Sequence, residues 1–504
     1  MASENNKRIA KNTMFLYFRM LLVMGVSLFT VRIVLKVLGV EDYGIYNVVA
    51  GVVSMFGFLS GTMASASQRF FAFEIGKKDF VKLKQTFSMT VTIYAMLAIL
   101  IIILAETVGL WFLNNKMTIP PDRMEAARWV YHFAIASFIV TIMAIPYNAA
   151  IIAKENMKVF AYISIIEVSL KLGIVYMLTL FDADKLKLYA VLMFIAQVII
   201  RFSYSLYCRR AYTEFRYSFY WDRGLFKTLV GFSGWNMFGA VASVLNIHGI
   251  NILLNVFFNP IVNAARGIAY QINMAVNQFV QNFMMAVKPQ ITKYYAEDNI
   301  AEMQNLVFRS SKFSFFLLSL LTMPIIVETN FVLSLWLVEV PEYAVIFTRL
   351  ILIVALIDSL SYPLMTAAQA TGNIKKYQSV VGSVLMLNVP ISYVFLKFGF
   401  SPEITLYIAI FVSVTCLLLR LILLRNMINL SIQIFLKNVG LYCIIVILLG
   451  YVAPICLKYL IVDKNLLSFV LIVITGLLSL GLSMFFLGLT RNEKNYVLKI
   501  VRKK

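Results

Sequence analysis

Histidine and cysteine are scarce in this sequence, with two histidines and four cysteines among 504 residues. Their spacing fits no metal-binding motif, so we predict no metal site. The sequence also has no glycine-rich phosphate-binding loop and no nucleophile elbow, which argues against an ATP-driven motor and a hydrolase. We therefore predict a protein that is not an enzyme, has no catalytic residues and uses no cofactor.

Acidic residues are also few, since 24 Asp and Glu stand against 45 Lys and Arg and give a net charge of +21. In a soluble protein this balance would suggest a nucleic-acid partner. The chain is however 61% hydrophobic, with a mean hydropathy of +0.84, which is more apolar surface than a soluble fold can bury. Apolar runs of about 20 residues recur without the alternation of barrel strands. We predict an all-α polytopic membrane protein that contacts lipids and binds no nucleic acid.

The apolar runs define about fourteen predicted membrane spans. Their approximate ranges are 13–37, 43–66, 86–111, 126–150, 160–181, 187–208, 228–257, 262–287, 309–337, 343–370, 378–399, 402–424, 437–459 and 466–489. Most of the Lys and Arg residues lie in the even-numbered links and in both tails. The positive-inside rule therefore places the N- and C-termini in the cytoplasm. The polar N-terminus leads into a full-length span, so we expect an uncleaved first helix.

Two parts of the sequence recur at nearly equal offsets. Residues 146–160 (PYNAAIIAKENMKVF) match residues 363–377 (PLMTAAQATGNIKKY), and residues 44–74 match residues 267–297 more sparsely. The matches favour a duplicated unit over a chance likeness of apolar segments, because they include proline, asparagine and lysine. Six spans return the chain to its starting side, so we predict two parallel six-helix repeats around a central cavity.

The predicted division is 1–227 for the first bundle, 228–436 for the second bundle, and 437–504 for two extra helices and a basic tail. Links 68–85 and 290–308 occupy matching places in the two repeats and mix charged with apolar residues. We expect both links to form short amphipathic helices on the inner surface.

Span 8 carries a narrow polar stripe at helical spacing. Its members are Arg266, Tyr270, Asn273, Asn277 and Gln281. Such a stripe is typical of a cavity wall or of a helix–helix seam held by amides. We favour a cavity wall that binds substrate, because an arginine and several amides exceed what a seam needs. The matching face of span 2 contributes Asn47 to the same prediction.

Charged residues inside other spans are costly in hydrocarbon and are therefore candidate functional residues. Glu167 and Lys171 are spaced as an intrahelical ion pair, which is either structural or coupled to an ion gradient. Asp358 is deep enough to bind a proton or sodium ion, and Arg349 lies on the opposite face of its span. Arg19 in span 1 either lines the cavity or reaches the headgroups.

Arg201 and Arg420 lie nearer the predicted cytoplasmic ends of their spans, so we expect both to extend to the headgroups. Cationic residues within the spans outnumber acidic ones. A cavity with this balance favours an anionic substrate, because a guanidinium binds phosphate through paired hydrogen bonds.

The opening KNTMFLYFRMLLVMGVSLFTVRIVLKVLGVEDYGIYNVV and the later KENMKVFAYISIIEVSLKL, with the repeat and the span count, resemble the polysaccharide transporter family. That family belongs to the multidrug/oligosaccharidyl-lipid/polysaccharide exporter superfamily. The resemblance implies an alternating-access flippase of the bacterial inner membrane for O-antigen or capsular polysaccharide synthesis. Its substrate would be an undecaprenyl-diphosphate-linked oligosaccharide, its counter-ion H⁺ or Na⁺, and its partner a polysaccharide polymerase. Arg19 and Arg266 match, by span only, cavity arginines of related lipid II flippases.

Three alternatives remain open. A cation-coupled small-molecule exporter of the same superfamily would need acidic groups in its cavity, and few are present. A membrane glycosyltransferase or polymerase would normally carry a large outer loop, and the predicted links are short. A scaffold without transport activity does not explain the charges within the spans.

Overall fold

The computed structural model of the chain describes residues 2–54, 57–117, 119–181, 184–258, 260–337, 339–461, 465–491 and 493–494. Within these ranges the chain is helical and contains no β-strand. The prediction of an all-α polytopic membrane protein is confirmed by this architecture.

Eighteen helical segments form the described part of the chain, and the first of them consists of two helices that meet at a non-helical Gly39 (φ 80°). The helices of the first half are α1 (Ala2–Ser54), α2 (Gly57–Gly76), α3 (Phe80–Leu104), α4 (Leu110–Lys116), α5 (Met124–Ala153), α6 (Met157–Leu180), α7 (Lys185–Ala211) and α8 (Arg223–Phe257). The others are α9 (Pro260–Ala296), α10 (Ile300–Val327), α11 (Thr329–Trp336), α12 (Ala344–Ala370), α13 (Lys375–Met386), α14 (Asn388–Lys397), α15 (Ile404–Ile428), α16 (Ile432–Phe435), α17 (Leu441–Leu460) and α18 (Leu466–Ser483).

Twelve helical segments are long and apolar enough to cross a membrane. They coincide with twelve of the predicted spans, and their boundaries differ mostly by a few residues. The remaining predicted spans are the second, at the end of α1 and the start of α2, and the eighth, in α9. The polar stripe on α9 lowers the hydropathy of that helix, although its length of 37 residues is ample for a span.

The chain forms two compact units. Unit 1 contains Met1–Met237 and Thr292–Asp298, and unit 2 contains Phe238–Ile291 and Asn299–Lys504. In unit 1, α5 packs against α7 and α1 packs against α6; in unit 2, α12 packs against α10 and α15, and α17 packs against α18. The predicted boundaries at 227 and 436 stay a prediction.

A buried tyrosine in the apolar core of unit 1 lies against an irregular turn that follows α3. The Tyr131 side chain of α5 is buried, and its hydroxyl donates to the Ala105 carbonyl at 2.7 Å. At Ala105 the chain enters a π-helical turn that ends at Gly109. A Cβ on Gly109 would lie 2.0 Å from the Tyr131 hydroxyl oxygen, so only glycine fits beside the inserted ring.

The two copies of the predicted repeat have the same local structure at their most similar stretch. Pro146 lies inside α5, which ends at Ala153, and Pro363 lies inside α12, which ends at Ala370. The sparser match is less accurate, because Glu74 lies within α2 whereas Glu297 lies in the turn after α9.

The expectation of amphipathic surface helices in links 68–85 and 290–308 is wrong. Each link consists of two helix ends joined by a tight turn, with left-handed residues at Lys78 (φ 58°) and Asp298 (φ 56°). Asp79 then accepts from the Lys82 amide, and Asn299 caps α10 in the same way. These caps start the next helix at once and leave no residues for a separate one.

Candidate functional site

The polar stripe on α9 continues onto α12 through one tyrosine in unit 2. Asn277 Nδ2 donates to Asn273 Oδ1 at 2.5 Å, and the Tyr362 hydroxyl donates to Asn277 Oδ1 at 3.2 Å. The same hydroxyl interacts with the side chain of Gln281 through a hydrogen bond. The three amides predicted on span 8 therefore belong to one connected set of hydrogen bonds. The substrate-binding role of these residues stays a prediction.

Asp358 lies one helical turn before Tyr362 on α12 and extends this set toward α15. Its side chain forms a hydrogen bond with Ser413, and it interacts electrostatically with Tyr362 and Arg420. A carboxylate within a membrane span needs such partners because hydrocarbon does not solvate it. The structure therefore gives Asp358 an internal counter-charge that the sequence did not indicate.

The expectation that Arg420 extends to the headgroups is wrong. Arg420 is only 6% exposed, and its guanidinium donates to the Tyr377 hydroxyl at 3.2 Å and to Ser361 Oγ at 3.1 Å. The neighbouring polar groups on α12 and α13 satisfy the side chain in place, so it has no need to reach the surface. The name unit 2 network is used below for Asn273, Asn277, Gln281, Tyr362, Asp358, Arg420, Ser361, Tyr377 and Ser413.

Arg266 makes the contacts of a helix–helix seam. It is 2% exposed, and its guanidinium donates to the Ile247 carbonyl at 3.1 Å and to Asn251 on the neighbouring α8. It also donates to the Tyr270 hydroxyl at 3.2 Å and lies 4.6 Å from the centroid of that ring. Its Nε atom is buried without a partner among the described residues. Substrate binding by Arg266 and Tyr270 stays a prediction, in competition with the seam.

The charged residues of unit 1 form a second cluster. The predicted ion pair is confirmed, because Lys171 Nζ donates to Glu167 Oε1 at 2.6 Å. Arg19 on α1 interacts electrostatically with Glu167 and Tyr204, and its guanidinium lies 4.5 Å from the centroid of Phe160. The structure therefore places Arg19 of span 1 beside the Glu167–Lys171 pair of span 5.

The remaining candidates lie outside these two clusters. Arg349 on α12 donates to Thr329 Oγ1 of α11 at 3.0 Å, and its substrate-binding role also stays a prediction. The side chain of Asn47 lies outside the described residues. Unit 1 also contains a cavity of about 240 Å³, whose polar wall includes Ser137, Thr141 and Gln197. Among the described residues, no group of three His, Cys, Asp or Glu side chains is placed to hold a metal ion.

Several residues of the clusters are not predicted as site residues from the sequence. Tyr362, Tyr204, Tyr377, Ser361 and Ser413 look like ordinary span residues, and Arg420 is predicted to extend to the headgroups. The spacing of four residues between Asp358 and Tyr362 was an available signal. The contact of Arg19 with α6 had no signal in the spacing, because the two helices are distant in sequence.

Ion pairs outside the membrane-spanning segments hold the loops of each unit. Burial alone would raise the pKa of the Glu214 carboxyl, but the hydrogen bond from Lys154 outweighs it and holds this pKa below its usual value. In unit 2, burial is likewise outweighed at Glu493, whose pKa is lowered by a 2.7 Å hydrogen bond from Lys312. These carboxyls therefore remain ionised at neutral pH.

Comparisons with known proteins agree with this architecture. The MatE family model matches residues 16–177, from α1 into α6. The crystal structure of MATE in complex with MaD3S has a TM-score of 0.71 and 13% identity, and covers 84% of this chain and 97% of its own. An outward-facing multidrug resistance MATE family transporter of the MOP superfamily has a TM-score of 0.72 and 13% identity, covering 84% and 96%. The MATE transporter ClbM in complex with Rb⁺ has a TM-score of 0.70 and 15% identity, covering 85% and 96%. None of the curated proteins matches the chain.

The chain is thus a polytopic helical membrane protein. Its fold is that of the MATE transporters, as the similarity to these structures shows. The family model covers residues 16–177, about a third of the chain, and the similarity to the solved structures is one of fold. Neither the family model nor these structures support the polysaccharide subfamily, which remains a hypothesis.

Proposed function

We propose that this protein is a cation-coupled exporter of small organic molecules, of the MATE type and not an enzyme, in a bacterial cell membrane. The observation that carries the proposal is the shared fold, which covers 96% to 97% of solved MATE transporters. The chain also lacks a nucleotide phosphate loop, so an ion gradient is the expected energy source. This function replaces lipid-linked oligosaccharide transport as the preferred interpretation.

The pairing of charges supports a cationic or neutral substrate more than an anionic one. Lys171 is paired with Glu167, and Arg420 faces Asp358 and two hydroxyl groups. The two terminal nitrogens of Arg266 donate to α8 and to Tyr270, and only its Nε atom has no partner among the described residues. The excess of cationic residues counted in the sequence therefore does not amount to an equal excess of charge available to a substrate.

Asp358 is the coupling residue in this proposal, and the coupling ion is a proton. A metal ion would need several oxygen ligands around the carboxylate, and among the described residues Asp358 belongs to no group of three His, Cys, Asp or Glu side chains that could hold one. A proton instead turns the carboxylate into a neutral group, leaves Arg420 as the local charge and changes the hydrogen bond with Ser413. Tyr362 would transmit this change to Asn277 and Gln281 on α9.

The full chain in proteoliposomes tests the proposal. We expect an imposed pH gradient to drive transport of a cationic dye, and Asp358→Asn to reduce the driven rate at least about tenfold. The control is Asp122→Asn, because Asp122 is exposed and lies outside the unit 2 network. Rates are compared per amount of inserted protein. Full gradient-driven transport by Asp358→Asn would show that the coupling residue is elsewhere.

A lipid-linked oligosaccharide flippase is the second candidate, and Arg19 favours it. The Arg19 Nε atom is buried and has no hydrogen-bond partner among the described residues. A diphosphate group would provide such a partner. Restoration of surface polysaccharide in a flippase-deficient host, without resistance to cationic dyes in an exporter-deficient host, would favour this candidate over the exporter.

A further inference from the structure

A cavity of about 450 Å³ lies in unit 1 between α2, α3 and the start of α8. It is separate from both charged clusters and is large enough for a small-molecule ligand. Met96, Leu100, Val230 and Met237 line it and remain between 36% and 51% exposed. Because α3 and α8 are apolar enough to cross a membrane, the exposed side of this cavity faces acyl chains.

Polar groups in the cavity wall are largely satisfied by the protein itself. Ser67 Oγ donates to the Met63 carbonyl at 2.9 Å and lies 3.2 Å from the Tyr94 hydroxyl. Thr90 Oγ1 donates to the Thr86 carbonyl at 2.7 Å. A polar substrate would gain few hydrogen bonds here, whereas a hydrocarbon chain would gain apolar contact.

The end of the cavity at the start of α8 lies on the same side of unit 1 as the N-terminus. The loop before α8 is tied to the loop after α5, because Glu214 pairs with Lys154. The neighbouring Glu155 pairs with Arg8 near the N-terminus. The start of α8 therefore lies at the same membrane surface as the N-terminus.

Exposed basic and aromatic residues mark this end of α8. Arg223 begins the helix one turn before Phe226, which lines the cavity, and Lys227 is one turn before Val230. Trp221 is 50% exposed and packs 5.1 Å from the Phe226 ring centroid, as expected for an interfacial aromatic residue. The nearby Asp222 carboxylate caps α8 by accepting from the Leu225 amide.

We propose that this cavity is a binding site for an anionic phospholipid from the leaflet at the N-terminal surface. One acyl chain occupies the space between α2, α3 and α8, and the phosphate binds Arg223 and Lys227. Charge complementarity selects an anionic headgroup, and the apolar wall selects the acyl chain. The site is independent of the proposed transport function.

Native mass spectrometry of the purified full-length protein tests the site, with phosphatidylglycerol and phosphatidylcholine of identical acyl chains as probes. Gly234 lines the cavity, and a Cβ there meets no heavy atom within 4 Å. We expect Gly234→Leu to fill the space and weaken phosphatidylglycerol binding about tenfold, because it removes apolar contact. Gly231→Leu is the matched control, since Gly231 has equal space on the same helix and does not line the cavity.

The headgroup contact is tested by the double variant Arg223→Gln/Lys227→Gln. We expect it to lose the preference for phosphatidylglycerol over phosphatidylcholine, whereas Arg209→Gln/Arg210→Gln, exposed at the end of α7, keeps it. Inorganic phosphate should not displace the lipid. Equal lipid retention by Gly234→Leu and Gly231→Leu would overturn the acyl-chain site. Displacement by phosphate alone would identify a simple anion site, and displacement by a transported dye would identify a substrate site; either outcome overturns the proposal.

Discussion

Arg420 offers the sharpest test of the unit 2 network, through the substitution Arg420→Leu. The side chain is buried, donates to Tyr377 and Ser361, and is the counter-charge of Asp358. Removing one partner of a fully buried charge pair typically costs about 3–5 kcal/mol, because the other charge is left uncompensated. The Asp358 carboxylate is half-buried, so the lower end of this range applies. We expect Arg420→Leu to destabilise the protein by an amount of this order.

The cause of this loss can be separated from packing by a double-mutant cycle. In an Asp358→Asn background no carboxylate remains to be compensated, so we expect Arg420→Leu to cost about 2 kcal/mol less. The free energy of unfolding is measured for all four proteins in detergent. Arg425→Leu, on the exposed part of the same helix, should change it by less than about 0.5 kcal/mol. Equal costs of Arg420→Leu in both backgrounds would refute the pairing.

Three further predictions concern other contacts. Arg266→Ala should lower the amount of folded, membrane-inserted protein, because it removes charged hydrogen bonds worth about 1.5–3 kcal/mol each; normal yield with lost transport would instead favour a cavity role. The pKa of Glu493 is lower in the folded protein than in the unfolded protein. Its ion pair with Lys312 therefore stabilises the fold fully above about pH 4.3, the pKa of an unfolded Glu. This stabilisation should be lost as the pH falls through the lower pKa of the folded state. Its release should appear as proteolysis of the C-terminal tail at low pH, and insensitivity to pH would contradict it. Gly76→Val should destabilise unit 1 by about 1–3 kcal/mol in thermal unfolding, because a Cβ at Gly76 lies 2.8 Å from Ala296 Cβ, and unchanged stability would disprove this contact.

Most of the fold could be predicted because a membrane leaves so few choices. Backbone polar groups must be satisfied within the span, so an apolar run of sufficient length is a helix. The run predicted at 343–370 is α12, Ala344–Ala370, and the run at 466–489 ends within a residue of the last apolar segment. The turns were harder to predict, because the left-handed backbone conformation of Lys78 and Asp298 does not change the hydropathy of the sequence.

Much less of the site could be predicted, since spacing locates residues on one helix and not across helices. The stripe from Asn273 to Gln281 and the pair Glu167–Lys171 are features of single helices, and the structure contains both. The electrostatic interaction of Asp358 with Arg420 joins α12 to α15, and no spacing rule connects them. Depth along a span was also a poor guide to burial, as the position of Arg420 shows.

Counting the charges within the spans and pairing them favour different transport functions. A count of cationic and acidic residues within the spans favours a phosphate-bearing substrate. Pairing changes this inference. A cationic side chain that is already bound by a carboxylate or by several hydroxyls would first have to lose these partners, so binding a phosphate would gain little free energy. Arg420 interacts with Asp358 and with two hydroxyl groups, so it is less available for the capture of an anion. Arg19 and Arg266 each have a buried Nε without a hydrogen-bond partner among the described residues, so these are the positions where an anionic substrate could still gain a bond. A change in transported substrate on Arg19→Gln, measured against unchanged dye transport, would distinguish this second candidate from the exporter.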